Sequence, residues 1–410
     1  MQRRVVITGL GWATSLGASV SKVYDRLCQG ESGIVPITRF DANAHGVTFG
    51  GEFTAFTPEP QIDARTAKKL DRFSQFAVAA SVDAVEQAGL DFDQEDPFRC
   101  GCIIGSGVGG IEEFADGHTK MLQKGPTRIS PFMVPKLMCN AAPGNVAIRF
   151  GLRGPNYATT SACASGGHAI GAAFDQVQGG HADVIIAGGA EAALTPLGLA
   201  TFVALKALSK RNDDPARASR PFDRDRDGFV LSEGAGVVVL ESLEHAQARG
   251  AEILGEMLGW GQSNDGYHIT APLEDGQGAA AAMKAALKRA GLNPGDIGYI
   301  NAHGTSTGLG DLAETRAVRN VFGDNAPPTS STKSMLGHLL GASGGVESVI
   351  CAEALRTGIC PPTINHDNPG EGCDLDYIPN QAREIKPKAV LNNSFGFGGH
   401  NTSLAFGRFE

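Results

Sequence analysis

Residues 158–169 read ATTSACASGGHA. A short extended run arrives at Cys163, and small residues surround the thiol: Ala162, Ala164, Ser165, Gly166 and Gly167. A helix is expected immediately afterwards. Over Ala169–Gln178, the residues Ile170, Phe174 and Val177 fall on one helical face, and Gly179-Gly180 stops the run. A strand, a sharp turn and a helix in that order form a nucleophile-elbow arrangement, the hallmark of a layered α/β protein. A thiol at a helix N-terminus meets free N–H groups and the helix dipole, so its pKa is expected to fall. The same N–H groups can bind an oxyanion. Taken alone, the segment is equally compatible with a buried cysteine acting as a small hydrophobe.

The rest of the chain has the same alternation. Apolar, β-branched runs predict strands over 4–9, 100–105, 183–188, 237–241, 298–302 and 389–393, and helices are predicted over 74–88, 169–178 and 279–290. Strands interleaved with helices imply α/β layers with partly parallel sheets. A soft division falls near Gly250–Gly255, and no internal repeat is visible by eye. The run KRNDDPARASRPFDRDRD at 210–227 carries both charge signs and reads as a salt-bridged surface excursion.

Composition narrows the class of function. With 410 residues and 42% hydrophobic content, the chain can bury a large core without disulfides or metals. The net charge of −9 argues against nucleic acid as the main partner. The eight cysteines include no C-x-x-C pair, so they form no zinc framework, and reduced thiols in a cytoplasm are the simplest reading. Arg3 and Arg4 precede an apolar run that loosely mimics a signal peptide, but Thr8, Gly9, Gly11, Thr14 and Ser15 interrupt it. No stretch approaches the ~20 apolar residues of a membrane span. A soluble, cytoplasmic protein is expected.

Three further segments carry chemistry. In YINAHGTSTGLGD (299–311) a strand delivers His303 into a polar loop, where sites of α/β proteins gather. In TKSMLGHLLGASGG (332–345), His338 follows Gly337, with Lys333 five positions earlier. In NNSFGFGGHN (392–401), Phe395 and Phe397 alternate with glycines, which suits a gate. Each also has a plain structural reading: a strand-capping histidine, a core histidine beside a surface lysine, and a glycine-rich turn with core aromatics.

Together, RRVVITGLG, TSACASG, RPFDRDRDGFVLSEGAG, NAHGTST, KSMLGHLLGASG, PPTIN and NSFGFGGHN resemble, in order, the sequence blocks of the elongating type II β-ketoacyl-acyl-carrier-protein synthases of the thiolase superfamily. The resemblance runs from about Val5 to about Phe406. It implies a thiolase-like fold, with two similar α/β halves in five layers (α-β-α-β-α), and a homodimer. The N-terminal half, 1–252, would carry the nucleophile, and the C-terminal half, 253–410, both histidines. Cys163 would be acylated from acyl carrier protein. His303 and His338 would assist malonyl decarboxylation, with Lys333 paired to Glu314 behind them. The N–H groups of Cys163 and Phe397 would form an oxyanion hole. Phe397 would be the gate, with Phe395 beside it in the substrate channel. Thr305 and Thr307 would hold the phosphopantetheine arm. The reaction would need no cofactor. Arg65, Lys68, Lys69 and Lys206 would form a basic patch for the acidic carrier. His400 departs from the family pattern, in which a threonine is common before the asparagine.

The sequence also bears on other readings. A thiolase would carry a second cysteine in the C-terminal glycine-rich loop, which has none here. Initiating synthases use Cys-His-Asn, which the KSMLGHLLG block opposes. Gly9, Gly11 and Gly17 suggest a dinucleotide loop, but the G-x-G-x-x-G spacing fails at Thr14. A non-catalytic chain-length partner would lack the cysteine. Polyketide or secondary-lipid elongation by the same chemistry remains an alternative.

Overall fold

The computed structural model describes residues 3–409. Ten strands are joined in one hydrogen-bonded series. The first five are β1 (Val5–Ala13), β2 (Cys100–Gly105), β3 (Asn156–Tyr157), β4 (Val184–Glu191) and β5 (Gly234–Ser242). The second five are β6 (Gly255–Asn264), β7 (Ile297–Asn301), β8 (Thr329–Ser330), β9 (Ala389–Gly396) and β10 (His400–Gly407). Their spatial order is β8-β7-β9-β10-β6-β1-β5-β4-β2-β3. Read outward from the middle, the two halves have the same topology. In each, the second strand pairs in parallel with the third and fourth, and the fifth lies antiparallel between the fourth and the first. Among the described residues, the two five-stranded halves are joined by strand pairing where Val5–Ile7 lies antiparallel to Gly255–Met257. The internal repeat that the eye misses in the sequence is therefore a repeat of topology.

The main helices are α1 (Arg72–Ala88), α2 (Ile111–Lys124), α3 (Ala141–Phe150), α4 (Ser165–Gln178), α5 (Gln277–Ala290), α6 (Gly308–Phe322) and α7 (Ser343–Thr357). Helices α1 and α3 cover the outer face of the first sheet, and α5 with α6 the outer face of the second. Helices α4 and α7 pack against each other and touch strands of both halves, which makes the middle layer. The strands show the period of two that a doubly covered sheet requires. Ile185, Ala187, Val238 and Leu240 face the central core, while Val184, Ile186, Val237 and Val239 face the outer one.

Close approach explains the glycines of β1. A Cβ at Gly9 would sit 2.0 Å from the Ala84 carbonyl oxygen, and one at Gly11 would sit 1.9 Å from that of Ala80. These glycines let α1 lie directly on the strand, which accounts for the false hint of a dinucleotide loop. The same contact hid β6 from the sequence reading. A Cβ at Gly261 would meet the Ala282 carbonyl at 2.1 Å, so glycine replaces the β-branched residues that signal a strand.

The 210–227 segment is salt-bridged as expected, through pairs such as Arg211–Asp227 and Arg220–Asp223, but it is not wholly a surface excursion. Its charged ends are exposed, but Ser219, Arg220, Phe222 and Asp223 are buried. Arg220 N–H donates to Ser306 Oγ at 3.0 Å, and Arg226 Nε donates to the Thr307 carbonyl at 3.0 Å. The segment is a brace under the His303 loop, which needs its charges inward.

Candidate active site

The strand ends on one side of the molecule supply the site. Cys163 precedes α4 at an elbow whose preceding residue, Ala162, has φ 50°. Ser165 holds the elbow: its hydroxyl accepts from Ser161 N–H at 2.9 Å and donates to the Ala162 carbonyl at 2.6 Å. His303 follows β7. Its backbone N–H and that of Gly304 donate to the Glu314 carboxylate of α6 at 2.8 and 2.7 Å. His338 is strapped to residues 230–232: its N–H donates to the Val230 carbonyl at 2.7 Å, and Ser232 N–H donates to its carbonyl at 3.0 Å.

These three side chains converge. Cys163 Sγ lies 3.0 Å from His338 Nε2, and the two imidazole centroids are 5.4 Å apart, nearly perpendicular. The donor atoms of Cys163, His303 and His338 all lie within 4.8 Å of one another, the one such cluster with metal-ligand potential among the described residues. The Lys333 ammonium acts on all three, lowering the pKa of each. A cation there opposes a metal ion and favours developing negative charge.

Lys333 is 2% exposed and ion-pairs with Glu347, not with Glu314. This corrects the expected pairing. Glu314 is occupied by the two backbone N–H groups of the His303 loop, while Glu347 projects from α7. Burial pushes both carboxyls up to about 7, against the pull of those N–H groups on Glu314 and of Lys333 on Glu347.

Burial holds both histidines well below the ordinary imidazole range, assisted by Lys333, so each is neutral near pH 7. The cysteine also differs from expectation. Burial pushes its thiol up to about 12, although Lys333 and the N–H groups of Phe397 and of Cys163 itself pull the other way. The helix helps less than the sequence suggests because the elbow uses its free N–H groups. Ala164 N–H donates to the Ser161 carbonyl at 3.1 Å and Ser165 N–H to that of Ala162 at 3.2 Å. The resting group is a thiol with its sulfur 3.0 Å from His338 Nε2, and which of the two atoms donates depends on the imidazole tautomer. Ser343 Oγ lies 3.0 Å from His338 Nδ1, and a hydroxyl can accept or donate there, so either tautomer is supported.

A cavity of about 580 Å³ opens onto this cluster. Phe395 and Phe397 line it, with Thr305, Thr307, Phe202 and Phe229. The Phe395 ring centroid is 5.7 Å from that of His303. The hydroxyls of Thr305 and Thr307 are 3.1 Å apart. His400 meets His168 edge-on, with centroids 6.4 Å apart, at the end of the glycine-rich 395–399 loop. Lys206 lies at the cavity rim, and Arg65, Lys68 and Lys69 are exposed around the short helix Ala64–Ala67. Two contributors escaped the sequence reading. Glu347 looks like an ordinary helix residue, and Ser343 is one serine among the small residues after His338.

Comparison with known proteins agrees with this geometry. The family model "Beta-ketoacyl synthase, N-terminal domain" matches residues 2–246, and "Beta-ketoacyl synthase, C-terminal domain" matches 254–367. The chain is 50% identical to 3-oxoacyl-acyl-carrier-protein synthase 2 of Synechocystis sp., over 100% of this chain and 99% of that one. Among solved structures, the ishigamide ketosynthase/chain length factor superimposes with a TM-score of 0.95 at 36% identity, covering 100% of both chains. A type II polyketide ketosynthase, bound to its acyl-carrier protein and to a hexaketide, gives 0.91 at 33% identity, again over 100% of both.

Proposed function

The chain belongs to the β-ketoacyl synthase family, and from that premise we propose how its residues carry out the decarboxylative condensation that elongates fatty-acyl chains. The observation that carries the proposal is the 3.0 Å contact between Cys163 Sγ and His338 Nε2, with the second neutral histidine beside it. The thiol sulfur attacks the acyl thioester of the carrier. Its proton passes to His338 Nε2 and on to the departing pantetheine sulfur. Malonyl thioester then loses CO₂, and the electron pair of the broken C–C bond moves onto the thioester oxygen. An N–H group of His303 stabilises that enolate, joined by His338 Nε2–H in the tautomer whose Nδ1 accepts from Ser343 Oγ, and Lys333, paired with Glu347, adds positive potential. The carbanion attacks the acyl carbon. The resulting oxyanion sits against the N–H groups of Cys163 and Phe397, and collapse expels the Cys163 thiolate, which takes up from solvent the one proton the overall reaction consumes. None of these steps transfers electrons between redox partners or calls for a cofactor.

Around this chemistry, Thr305 and Thr307 are assigned to the pantetheine amides, and Phe397, with Phe395, to gating. Arg65, Lys68, Lys69 and Lys206 are assigned to carrier docking. The division of labour runs between residues 1–252, with the nucleophile, and 253–410, with both histidines. A homodimer and a cytoplasmic location are proposed too. The dimer is supported by β3, which ends the strand order with an unpaired edge. The neighbouring helices expose Leu122, Phe132, Val134 and Ile148. Among the described residues, no helix is long and apolar enough to cross a membrane. The fatty-acid reading is preferred to the polyketide one because identity is higher to the 3-oxoacyl synthase, 50%, than to the polyketide ketosynthases, 33–36%.

The test is incubation with acyl-carrier protein followed by malonyl-carrier protein. A stoichiometric acyl adduct on Cys163 by mass spectrometry, then its conversion to 3-oxoacyl product, is expected. Acylation of another cysteine with Cys163 free would overturn the assignment.

A further inference from the structure

Glu191, the last residue of β4, is fully buried, and among the described residues it has no ion-pair partner. Its carboxylate accepts four hydrogen bonds: from Ser106 Oγ at 2.9 Å, Gly107 N–H at 2.7 Å, Val108 N–H at 3.2 Å and Gly341 N–H at 3.1 Å. Ser106 Oγ in turn accepts from Gly109 N–H at 3.0 Å. The donors come from both halves of the fold: 106–109 is the loop after β2, and Gly341 belongs to the turn between His338 and α7. The fit around the carboxylate is close. A Cβ at Gly341 would stand 2.4 Å from Gly107 N and 2.8 Å from Glu191 Oε2, and one at Gly107 would stand 3.0 Å from the same oxygen.

Both clamped loops reach the site. Gly107, Val108 and Leu340 line the cavity beside Cys163 and Ala162. Leu340, adjacent to Gly341, has φ 49°, a conformation that a leucine keeps only when its surroundings hold it. A buried carboxylate without a cation is costly unless hydrogen-bond donors compensate it, and three backbone N–H groups and the Ser106 hydroxyl do so here. The proposed mechanism gives Glu191 no chemical step.

We propose that Glu191 is a positioning residue that clamps the Ser106–Val108 loop to the Leu340–Gly341 turn, setting the wall of the pocket that receives the acyl chain. The inference rests on the condensing activity proposed above. It predicts that Glu191 governs transfer of the acyl group to Cys163 and leaves malonyl decarboxylation, which depends on His303 and His338, largely unaltered.

The test compares Glu191→Gln, Glu191→Asp and wild type in two separate assays: acylation of Cys163 from acyl-carrier proteins of several chain lengths, and decarboxylation of malonyl-carrier protein. An amide turns an N–H₂ group toward donors that need an acceptor. Glu191→Gln is expected to slow acylation about tenfold or more, with an altered chain-length profile, and to leave decarboxylation within about threefold. Glu191→Asp, which keeps the charge, is expected to restore part of the acylation rate. If Glu191→Gln fails to fold, Ser106→Ala removes one donor and is read in the same two assays, with a smaller but equally selective loss expected. Equal losses in both assays, or an unchanged chain-length profile with full acylation, would overturn the proposal. A wild-type enzyme that neither acylates Cys163 nor decarboxylates malonyl-carrier protein would instead overturn the function on which it rests.

Discussion

At the scale of single residues, the two histidines differ in a way the motifs conceal. NAHGTST and KSMLGHLLG suggest equivalent roles, and on the sequence alone the loss of either should hurt decarboxylation most, with acyl transfer surviving better. The structure puts only His338 within reach of the thiol, and the thiol is pushed up to about 12 by burial. A buried thiol in that state needs an acceptor for its proton. His303→Ala is therefore expected to cut malonyl decarboxylation by on the order of 10²–10³ while Cys163 still acylates. His338→Ala should impair both half-reactions by comparable factors. Single-turnover acylation and CO₂ release measured separately decide this; unimpaired acylation in His338→Ala would show that the thiol finds another base.

At the scale of elements, the junction between β5 and the short helix Leu243–Ala248 is a titratable joint. His245 Nδ1 lies 2.6 Å from Glu241, the penultimate residue of β5, and Nε2 lies 2.8 Å from Glu95. Arg249 Nε also donates to Glu241, at 2.9 Å. Hydrogen bonding to Glu241 raises the His245 pKa to about 9, against the desolvation that opposes it. A group raised in the folded state stabilises fully below its unfolded pKa, ~6.5, and loses that contribution as pH rises through the folded value. Thermal midpoints should accordingly fall by roughly 1–3 °C between pH 6.5 and 9.5 from this joint, and His245→Gln should flatten that part of the profile. The same slope in the variant would assign it to other groups. Element placement in the sequence was legible wherever apolar periodicity was undisturbed: predicted runs at 100–105, 237–241 and 389–393 lie inside β2, β5 and β9. Strand β6 escaped because its glycines serve helix packing, whereas the glycines and alanines after His338 do point to a tightly packed helix, which is α7, buried on nearly every side.

At the scale of the whole molecule, a net charge of −9 has to be reconciled with an acidic carrier protein. The proposed docking residues would do this locally, with Lys206 lining the cavity and Arg65, Lys68 and Lys69 exposed elsewhere on the same half. Single surface charges contribute little, so the expected effect is collective. Reversal of Lys68, Lys69 and Lys206 to Glu should lower kcat/KM for acyl-carrier protein about tenfold or more, chiefly through slower association. Added salt should weaken the wild type in the same direction, since exposed charges are screened within ~8–10 Å. Free pantetheine thioesters should react as before; parallel losses on both substrates would place the damage in the fold or the site.

Long motifs were enough to indicate the family, the α/β class and the three side chains that converge at the cavity, because the local chain conformation that presents each one is written in contiguous residues: an elbow of small residues, a strand followed by a polar loop, a glycine before a histidine. Pairings between distant segments were not recoverable in that way. Lys333 and Glu347 are 14 residues apart, and Glu191 and Gly341 are 150 apart. Only the packing of α7 between the two sheets determined that Glu347 rather than Glu314 meets the lysine. Only burial decided that the cysteine rests as a thiol, because the electrostatic state of a group depends on how much water surrounds it, and that depends on parts of the chain far from its own motif.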